Sequence, residues 1–180
     1  IRFINDATNN DIKYCNIKGS SLSTGDGIIT FSTTTGTTGN DGNTFGYNHI
    51  TNYDSNRPIN AIFSLGTDTK ENSGNIISNN SIYDFLNPAN PSEASTGVYL
   101  NDYNTGWTIS GNSFYETTTF APNSTDQYVI VKISNDGTGY VIDGNYIGGS
   151  AAECTGTWTK SDGSNTFGGI YIDNEDESCT

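Results

Sequence analysis

The sequence predicts an all-β protein built as a parallel β-helix, a solenoid in which short strands stack coil upon coil. Three observations predict this fold: a polar composition rich in turn residues, the lack of amphipathic helical stretches, and an internal repeat of 32 to 33 residues. A repeat that persists along a chain is typical of a solenoid, because each unit must stack on its neighbours to bury its apolar residues. We expect about five to six coils, with three short strands in each and loop insertions between them.

The composition favours a folded chain with many bends over a disordered one. Hydrophobic residues make up only 32% of the 180 residues, a content that by itself would be compatible with disorder. Charged residues are also scarce, however, at 15%, while aromatic residues reach 12% and include 11 tyrosines. The polarity comes instead from Asn, Thr, Ser, Gly and Asp, which form turns and exposed β-surface.

The formal net charge of −13 argues against partners that need a basic surface. Only seven Lys and Arg residues are present and they are scattered, so we expect no nucleic-acid partner. The longest apolar stretches run for a few residues, so we expect no membrane insertion. An acidic surface rich in Asn and Thr favours a secreted or cell-surface protein, for which solubility is the simplest role of the charge.

The internal repeat is carried by five segments, each with two large apolar residues that enclose four mostly polar ones. The segments are 12–17, 45–50, 77–82, 109–114 and 142–147. Their second apolar position recurs at intervals of 33, 32, 32 and 33 residues. Residues i and i+5 of a straight strand point to opposite faces, so the chain must bend between them if both are to be buried.

The bend of each coil falls on a recurring asparagine. These asparagines are Asn48, Asn80, Asn112 and Asn145. Asn tolerates left-handed backbone geometry and hydrogen-bonds to nearby backbone, and glycines lie beside three of these positions, as a tight corner requires. We therefore expect the asparagines to form a hydrogen-bonded ladder along the axis. Cys15 holds the equivalent position in the first coil, and we expect it to be a buried structural cysteine.

A third apolar group in each coil completes the predicted interior. These groups are Phe3-Ile4, Ile29-Phe31, Ile62-Phe63, Val98-Leu100, Val131-Ile133 and Ile170-Ile172. Aligning Phe31 with Phe63 keeps the 32-residue interval, and polar inserts such as 87–96 and 149–168 account for the longer intervals elsewhere. Loops absorb such insertions at little cost in stability.

With this pattern, the chain resembles the right-handed parallel β-helix repeats of the pectin-lyase-like superfamily, in which Ile-x-x-Asn-x-Ile recurs once per coil. The resemblance covers nearly all of the chain, from Ile1 to Ile172. Segments 1–7 and 38–44 are also similar to repeat regions of very large secreted surface proteins of Bacteroidetes-type bacteria. Right-handedness follows from the resemblance and from the general chirality of parallel crossovers. Because Ile1 already lies in an apolar run, we interpret 1–180 as a single domain within a longer chain that supplies flanking repeats.

The preferred function is a non-catalytic structural or adhesive segment that binds a polysaccharide or a cell-surface glycan. In the third apolar group, the last residue of each coil should point inward, so the residue just before it should point outward. These outward residues are Tyr99, Lys132 and Tyr171. Together with Asn101 and Asp102 they would form a sugar-stacking platform. In the acidic tail, Asp173 and Asp176 are candidate ligands for Ca²⁺, which prefers carboxylate oxygens.

The alternative function is a polysaccharide lyase or a glycoside hydrolase that acts on an acidic polysaccharide. A lyase needs a Lys or Arg base, for which Lys132 is the candidate, and a hydrolase needs a pair of carboxylates. The resemblance implies four motifs for polygalacturonase-like hydrolases: Asn-Thr-Asp, Asp-Asp, Gly-His-Gly and Arg-Ile-Lys. None of the four occurs in this sequence, so we assign no catalytic residue.

The cysteines predict a disulfide rather than a metal site. Cys154 and Cys179 flank the last candidate strand and can pair in an oxidising compartment. Three scattered cysteines and one histidine do not provide the ligand spacing of a zinc site.

Overall fold

The computed structural model describes residues 1–88, 95–122, 127–161 and 165–173, and all regular secondary structure in these ranges is β-strand. The strands are β1 (Arg2–Phe3), β2 (Asp11–Lys13), β3 (Asn16–Gly19), β4 (Ile29–Phe31), β5 (Thr44–Gly46), β6 (His49–Asn52), β7 (Asn60–Ser64), β8 (Asn72–Ser73), β9 (Ile76–Ser78), β10 (Ser81–Tyr83), β11 (Ser95–Leu100), β12 (Asn104–Thr105), β13 (Thr108–Ser110), β14 (Ser113–Tyr115), β15 (Gln127–Ser134), β16 (Val141–Asp143), β17 (Tyr146–Ile147) and β18 (Thr166–Asp173).

The strands stack in three long parallel sheets. Sheet A has the order β1-β4-β7-β11-β15-β18, sheet B the order β2-β5-β9-β13-β16, and sheet C the order β17-β14-β10-β6-β3, while β8 and β12 form a short fourth sheet. The chain visits the three long sheets in turn, which makes it a parallel β-solenoid of about four turns. The predicted fold class is confirmed, with slightly fewer turns than the five to six coils expected.

The 32- to 33-residue repeat is the stacking register of sheets B and C. In sheet C, Ile17, Ile50, Ile82, Phe114 and Ile147 occupy one column. In sheet B, Ile12, Phe45, Ile77, Ile109 and Ile142 occupy another. The members from the middle coils are fully buried, so both ends of the repeated motif face the interior and the chain bends between them.

The bend is made by the residue before each ladder asparagine. The equivalent residue has a positive φ in every coil, between 55° and 64°, and in the first coil it precedes Cys15 in place of an asparagine: Tyr14, Tyr47, Asn79, Gly111 and Gly144. The expectation that the ladder asparagines themselves take left-handed geometry is therefore wrong. The preceding residue turns the backbone, and this leaves the asparagine side chain free to point along the solenoid axis.

The asparagines of this corner form a continuous hydrogen-bonded ladder. The side-chain oxygen of Asn80 accepts hydrogen bonds from the backbone N–H (2.9 Å) and the side-chain amide (3.1 Å) of Asn48. Asn80 in turn donates from the same two groups to Asn112, and Asn112 donates to Asn145. Each amide also donates to a backbone carbonyl, as Asn80 does to Phe45 at 3.0 Å. Every buried polar atom of the ladder thus has a partner, as a stable polar interior requires.

Two further asparagine ladders run along other corners and were not predicted. One joins Asn10, Asn43 and Asn75, and the other joins Asn40, Asn72 and Asn104. Ser64 links the last two members of the second ladder, because it accepts from Asn72 (3.1 Å) and donates to Asn104 (2.5 Å). These asparagines also recur at 32 to 33 residues, so the interval that revealed the first ladder could have revealed these.

Two expectations about the interior are wrong. Phe31 stacks on Ser64, and Phe63 instead aligns with the outward-facing Thr30 and Tyr99. Alternation within β7 explains this: Ile62 points inward, so its neighbour must point outward. Cys15 is exposed rather than buried, because its thiol turns back to the Lys13 carbonyl, at 3.2 Å, and does not enter the interior.

Candidate functional site

One outward row of sheet A brings together three of the residues predicted to bind sugar. Tyr99 of β11, Lys132 of β15 and Tyr171 of β18 are direct register neighbours on adjacent strands. The row continues through Phe63, Thr30 and Arg2 on the other side of Tyr99. Because adjacent parallel strands lie about 4.8 Å apart, side chains in such a row contact one another directly.

Tyr99 is held between an aromatic ring and a cation. The Lys132 ammonium lies 4.5 Å from the centre of the Tyr99 ring, within the range of a cation–π interaction. On the opposite side, the Phe63 ring meets Tyr99 edge to face at 5.5 Å between centroids. The Tyr99 hydroxyl donates to the side-chain oxygen of Asn101 at 3.2 Å. These contacts fix the ring, so its position does not depend on a ligand.

A cleft of about 220 Å³ opens beside this ring. Its lining residues are Thr24, Gly25, Asn60, Phe63, Leu65, Tyr99, Asn101 and Lys132. Asn60 is fixed from three sides: it donates to the carbonyls of Thr24 (3.1 Å) and Asp26 (2.9 Å) and accepts from the Thr96 hydroxyl (2.7 Å). Of the lining residues in the described part of the chain, none is acidic and one is basic, so the local charge is positive in a protein whose net charge is −13.

Asp102 lies in a different cleft from Asn101, although the two are neighbours in sequence. This second cleft, of about 390 Å³, is lined by Asp68, Glu71, Asp102, Tyr103, Asn104, Asn135, Asp136 and Gly137. The chain turns a corner after β11, so successive residues there face different parts of the surface. Within the described ranges, no group of three or more Asp, Glu, His or Cys side chains has an arrangement that could hold a metal ion.

The predicted calcium ligands are only partly described. Asp173 is exposed at the end of β18, where one carboxylate oxygen accepts a hydrogen bond from the Tyr171 hydroxyl at 3.3 Å. Asp176 lies outside the described residues. The predicted disulfide is also only partly described. Cys154 is exposed and Cys179 lies outside the described residues, so their pairing stays a prediction.

A cluster of three charged side chains joins neighbouring coils at the end of sheet C. Arg57 donates to both Glu116 and Asp84, the latter at 3.2 Å. Glu116 is fully buried and also accepts from the Leu86 backbone N–H at 3.2 Å. Burial raises the pKa of Glu116 to about 7, against the opposing attraction of Arg57. Because the carboxylate at the centre of the cluster is buried, the cluster joins neighbouring coils and does not face a ligand. Asp84 and Glu116 are 32 residues apart, so the repeat interval was the signal that could have found it.

A stacked tyrosine pair stands at the corner between sheets B and C. The rings of Tyr14 and Tyr47 are 5.3 Å apart and nearly parallel, at 14°, and both residues have a positive φ. Left-handed geometry costs a residue with a side chain roughly 1–2 kcal/mol, whereas one aromatic contact contributes about 0.5–1.5 kcal/mol. The stacking therefore does not offset the strain of both residues.

Comparison of the chain with known protein families, with curated proteins and with solved structures finds no match. The described part of the chain also holds no helix of the length and apolar character needed to cross a membrane.

Proposed function

We propose that this chain is a carbohydrate-binding segment of a secreted or cell-surface β-solenoid, and that the cleft beside Tyr99 is its binding site. The observation that carries the proposal is the grouping of a fixed aromatic ring, a lysine and the Asn101 amide around one opening, whose floor is held in place by Asn60. An aromatic side chain gives a sugar's C–H groups an apolar wall, and an amide exchanges hydrogen bonds with hydroxyl groups. Small-ligand sites typically combine such an apolar wall with a few placed polar groups.

Lys132 favours a sugar that carries a carboxylate. It is the charged member of the lining, and its ammonium is held near the opening by Tyr99. An ammonium has three donors and pairs with carboxylate oxygens through charge-assisted hydrogen bonds. A uronic-acid polysaccharide would therefore place its carboxylate on Lys132 and its sugar ring against the edge of Tyr99, because Lys132 and Phe63 stand on the two sides of the ring. Tyr171, next in the row, would contact a neighbouring sugar unit.

The wider role follows from the fold together with this site. We propose an adhesive segment of a bacterial pectin-lyase-like β-helix protein, in which flanking repeats of the same parent continue the solenoid. A rod of stacked coils is stiff because each coil contacts only its neighbours through continuous sheets. The acidic surface keeps such a rod soluble. The same proposal includes a Ca²⁺ ion, held by Asp173 and Asp176, that assists the binding of the polysaccharide.

The proposal is tested by calorimetric titration with a tetramer of galacturonic acid, with and without Ca²⁺. We expect Lys132→Met, which keeps the aliphatic stem but removes the charge, to weaken binding by about 10- to 100-fold, the equivalent of one charge-assisted hydrogen bond. Lys18→Met is the matched control, since Lys18 is exposed on β3 of sheet C, and it should leave the affinity unchanged. Equal affinities of wild type and Lys132→Met, or no binding by the wild type, would contradict the proposal.

A lyase is the second candidate function. Lys132 supports it, because abstraction of a proton from a bound uronic acid requires a base beside the sugar. The products of long incubations with polygalacturonate distinguish the two candidates. An unsaturated sugar product that is lost in Lys132→Met would make the chain a lyase. Binding without any change in polymer length would leave the adhesive role.

A further inference from the structure

We infer that the Tyr14–Tyr47 pair is a second, separate ligand site, which takes an uncharged pyranose ring. The pair lies at the corner between sheets B and C, whereas the cleft beside Tyr99 opens on sheet A. The inference goes beyond the proposed function and does not depend on it. Backbone geometry, exposure and neighbouring polar groups support it independently.

The backbone geometry at this corner does not favour a tyrosine. The same corner position is filled by Asn79, Gly111 and Gly144 in the next three coils, and all five residues have a positive φ. Glycine and asparagine adopt this geometry easily, whereas a bulky side chain is strained there. Nor does either tyrosine provide the packing surface of a strand, since both stand between strands. Strained residues of this kind gather at functional positions.

Both rings are open to solvent. Tyr47, which has a coil on either side of it, is 50% exposed even though the Tyr14 ring is stacked against it. The next residue in the row does not close the site, because the Asn79 side chain leans toward Gly111, where its oxygen would lie 2.6 Å from an added β-carbon. Beyond Asn79, the row continues through Gly111 and Gly144. The pair therefore forms one end of an open shelf along the corner.

An ion pair without net charge lies on β2, the strand that ends one residue before Tyr14. The Lys13 ammonium donates to the Asp11 carboxylate at 2.7 Å, and the Lys13 stem passes 3.5 Å from the β-carbon position of Gly46. The hydrogen bond to Asp11 raises the pKa of Lys13, and the charge is thus kept at neutral pH. The pair offers donors and acceptors to hydroxyl groups but carries no net charge.

These features select an uncharged sugar over other ligands. Because Asp11 and Lys13 neutralise each other, the ion pair gives neither a carboxylated sugar nor a cationic ligand a net electrostatic attraction. An apolar protein surface would have to cover the Asp11–Lys13 pair and the two tyrosine hydroxyls, which costs desolvation without new partners. A pyranose with equatorial hydroxyls presents C–H groups to the rings and hydroxyls to the ion pair.

Cellohexaose, an uncharged chain of β-1,4-linked glucose units, is the probe. In a titration of the whole chain followed by NMR, we expect the tyrosine ring signals to shift and saturate in the millimolar range or below. The double variant Tyr14→Asn/Tyr47→Asn copies the residue found at position 79, so it should fold at least as stably as the wild type. We expect it to lower the affinity by tenfold or more. Tyr53→Asn, at another tyrosine that is 55% exposed, should change the affinity by less than twofold.

Three results would overturn the inference: no binding of cellohexaose by the wild type, an unchanged affinity in the double variant, or an equal loss in Tyr53→Asn. The two sites are told apart by exchanging variants and probes. Lys132→Met should leave cellohexaose binding intact, and the double tyrosine variant should leave galacturonate binding intact. If cellohexaose binding depends on Lys132, the ligand occupies the cleft on sheet A and the corner site is refuted.

Discussion

Removal of one ladder asparagine from the middle of the solenoid should destabilise it severely. The Asn80 side chain takes part in four hydrogen bonds: it donates to Asn112 and to the Phe45 carbonyl, and it accepts from the backbone N–H and the amide of Asn48. Asn80→Ala removes all four at a site that is 2% exposed. At about 1 kcal/mol for each bond, the expected loss is roughly 4 kcal/mol. A loss of this size is a large part of the total stability of a typical domain, about 5–15 kcal/mol.

The measurement is urea unfolding followed by tryptophan fluorescence. Trp107 is a suitable reporter, because it is fully buried and its indole N–H donates to the Asn72 carbonyl at 2.8 Å. Asn145→Ala is the matched control at the half-buried end of the same ladder, where water can replace the lost partners, and we expect it to cost about 2 kcal/mol or less. If Asn80→Ala costs under about 1 kcal/mol, or no more than Asn145→Ala, the ladder does not stabilise the stack as argued.

The remaining predictions concern the charged cluster and one close backbone approach. Because the pKa of Glu116 is raised from 4.5 to about 7, the folded chain keeps a proton that the unfolded chain releases in this range, and stability falls as the pH rises through it. Glu116→Gln should reduce this fall in the free energy of unfolding by up to about 3 kcal/mol, measured by urea unfolding between pH 4 and pH 8. If the free energy of unfolding of the two proteins changes with pH in parallel, the prediction is refuted. Gly66→Ala would place a β-carbon against the Tyr103 carbonyl oxygen and should cost about 2 kcal/mol or more, whereas Gly25→Ala, with nothing within 4 Å, should cost under about 0.5 kcal/mol in the same assay.

The interior of the solenoid was predictable because stacking forces the same residue types to recur. The columns through Ile50 and Ile77 could be identified from the sequence, since each inward position must match the coil above and the coil below. The error at Phe63 came from aligning apolar residues without regard to alternation. Ile29 and Ile62 share a register, so Phe63 had to point outward, and Ser64 took the inner position opposite Phe31.

The outward surface is only partly predictable, for a related reason. The alternation of side chains along a strand predicts that Tyr99 and Lys132 lie in one outward row, because both lie inside regular strands. It could not orient Asp102, which follows the strand at a corner where alternation no longer applies. Nor could it reveal the Tyr14–Tyr47 stack, since the left-handed geometry that exposes these rings belongs to a position where the other coils carry Asn or Gly.

A solenoid assembles its binding surfaces from residues that are far apart in sequence. Phe63, Tyr99 and Lys132 are neighbours in the cleft, yet they belong to three successive coils. None of them belongs to the cluster of apolar side chains that fills the interior, although Phe63 is only 3% exposed. Any of the three can change without disturbing the inner columns, because strands of the same sheet remain paired through their backbones. Fold and function are therefore encoded in different residues of the same repeat. The inward set is constrained to repeat and can be predicted from one sequence, while the outward set is free to differ in every coil and must be determined by binding experiments.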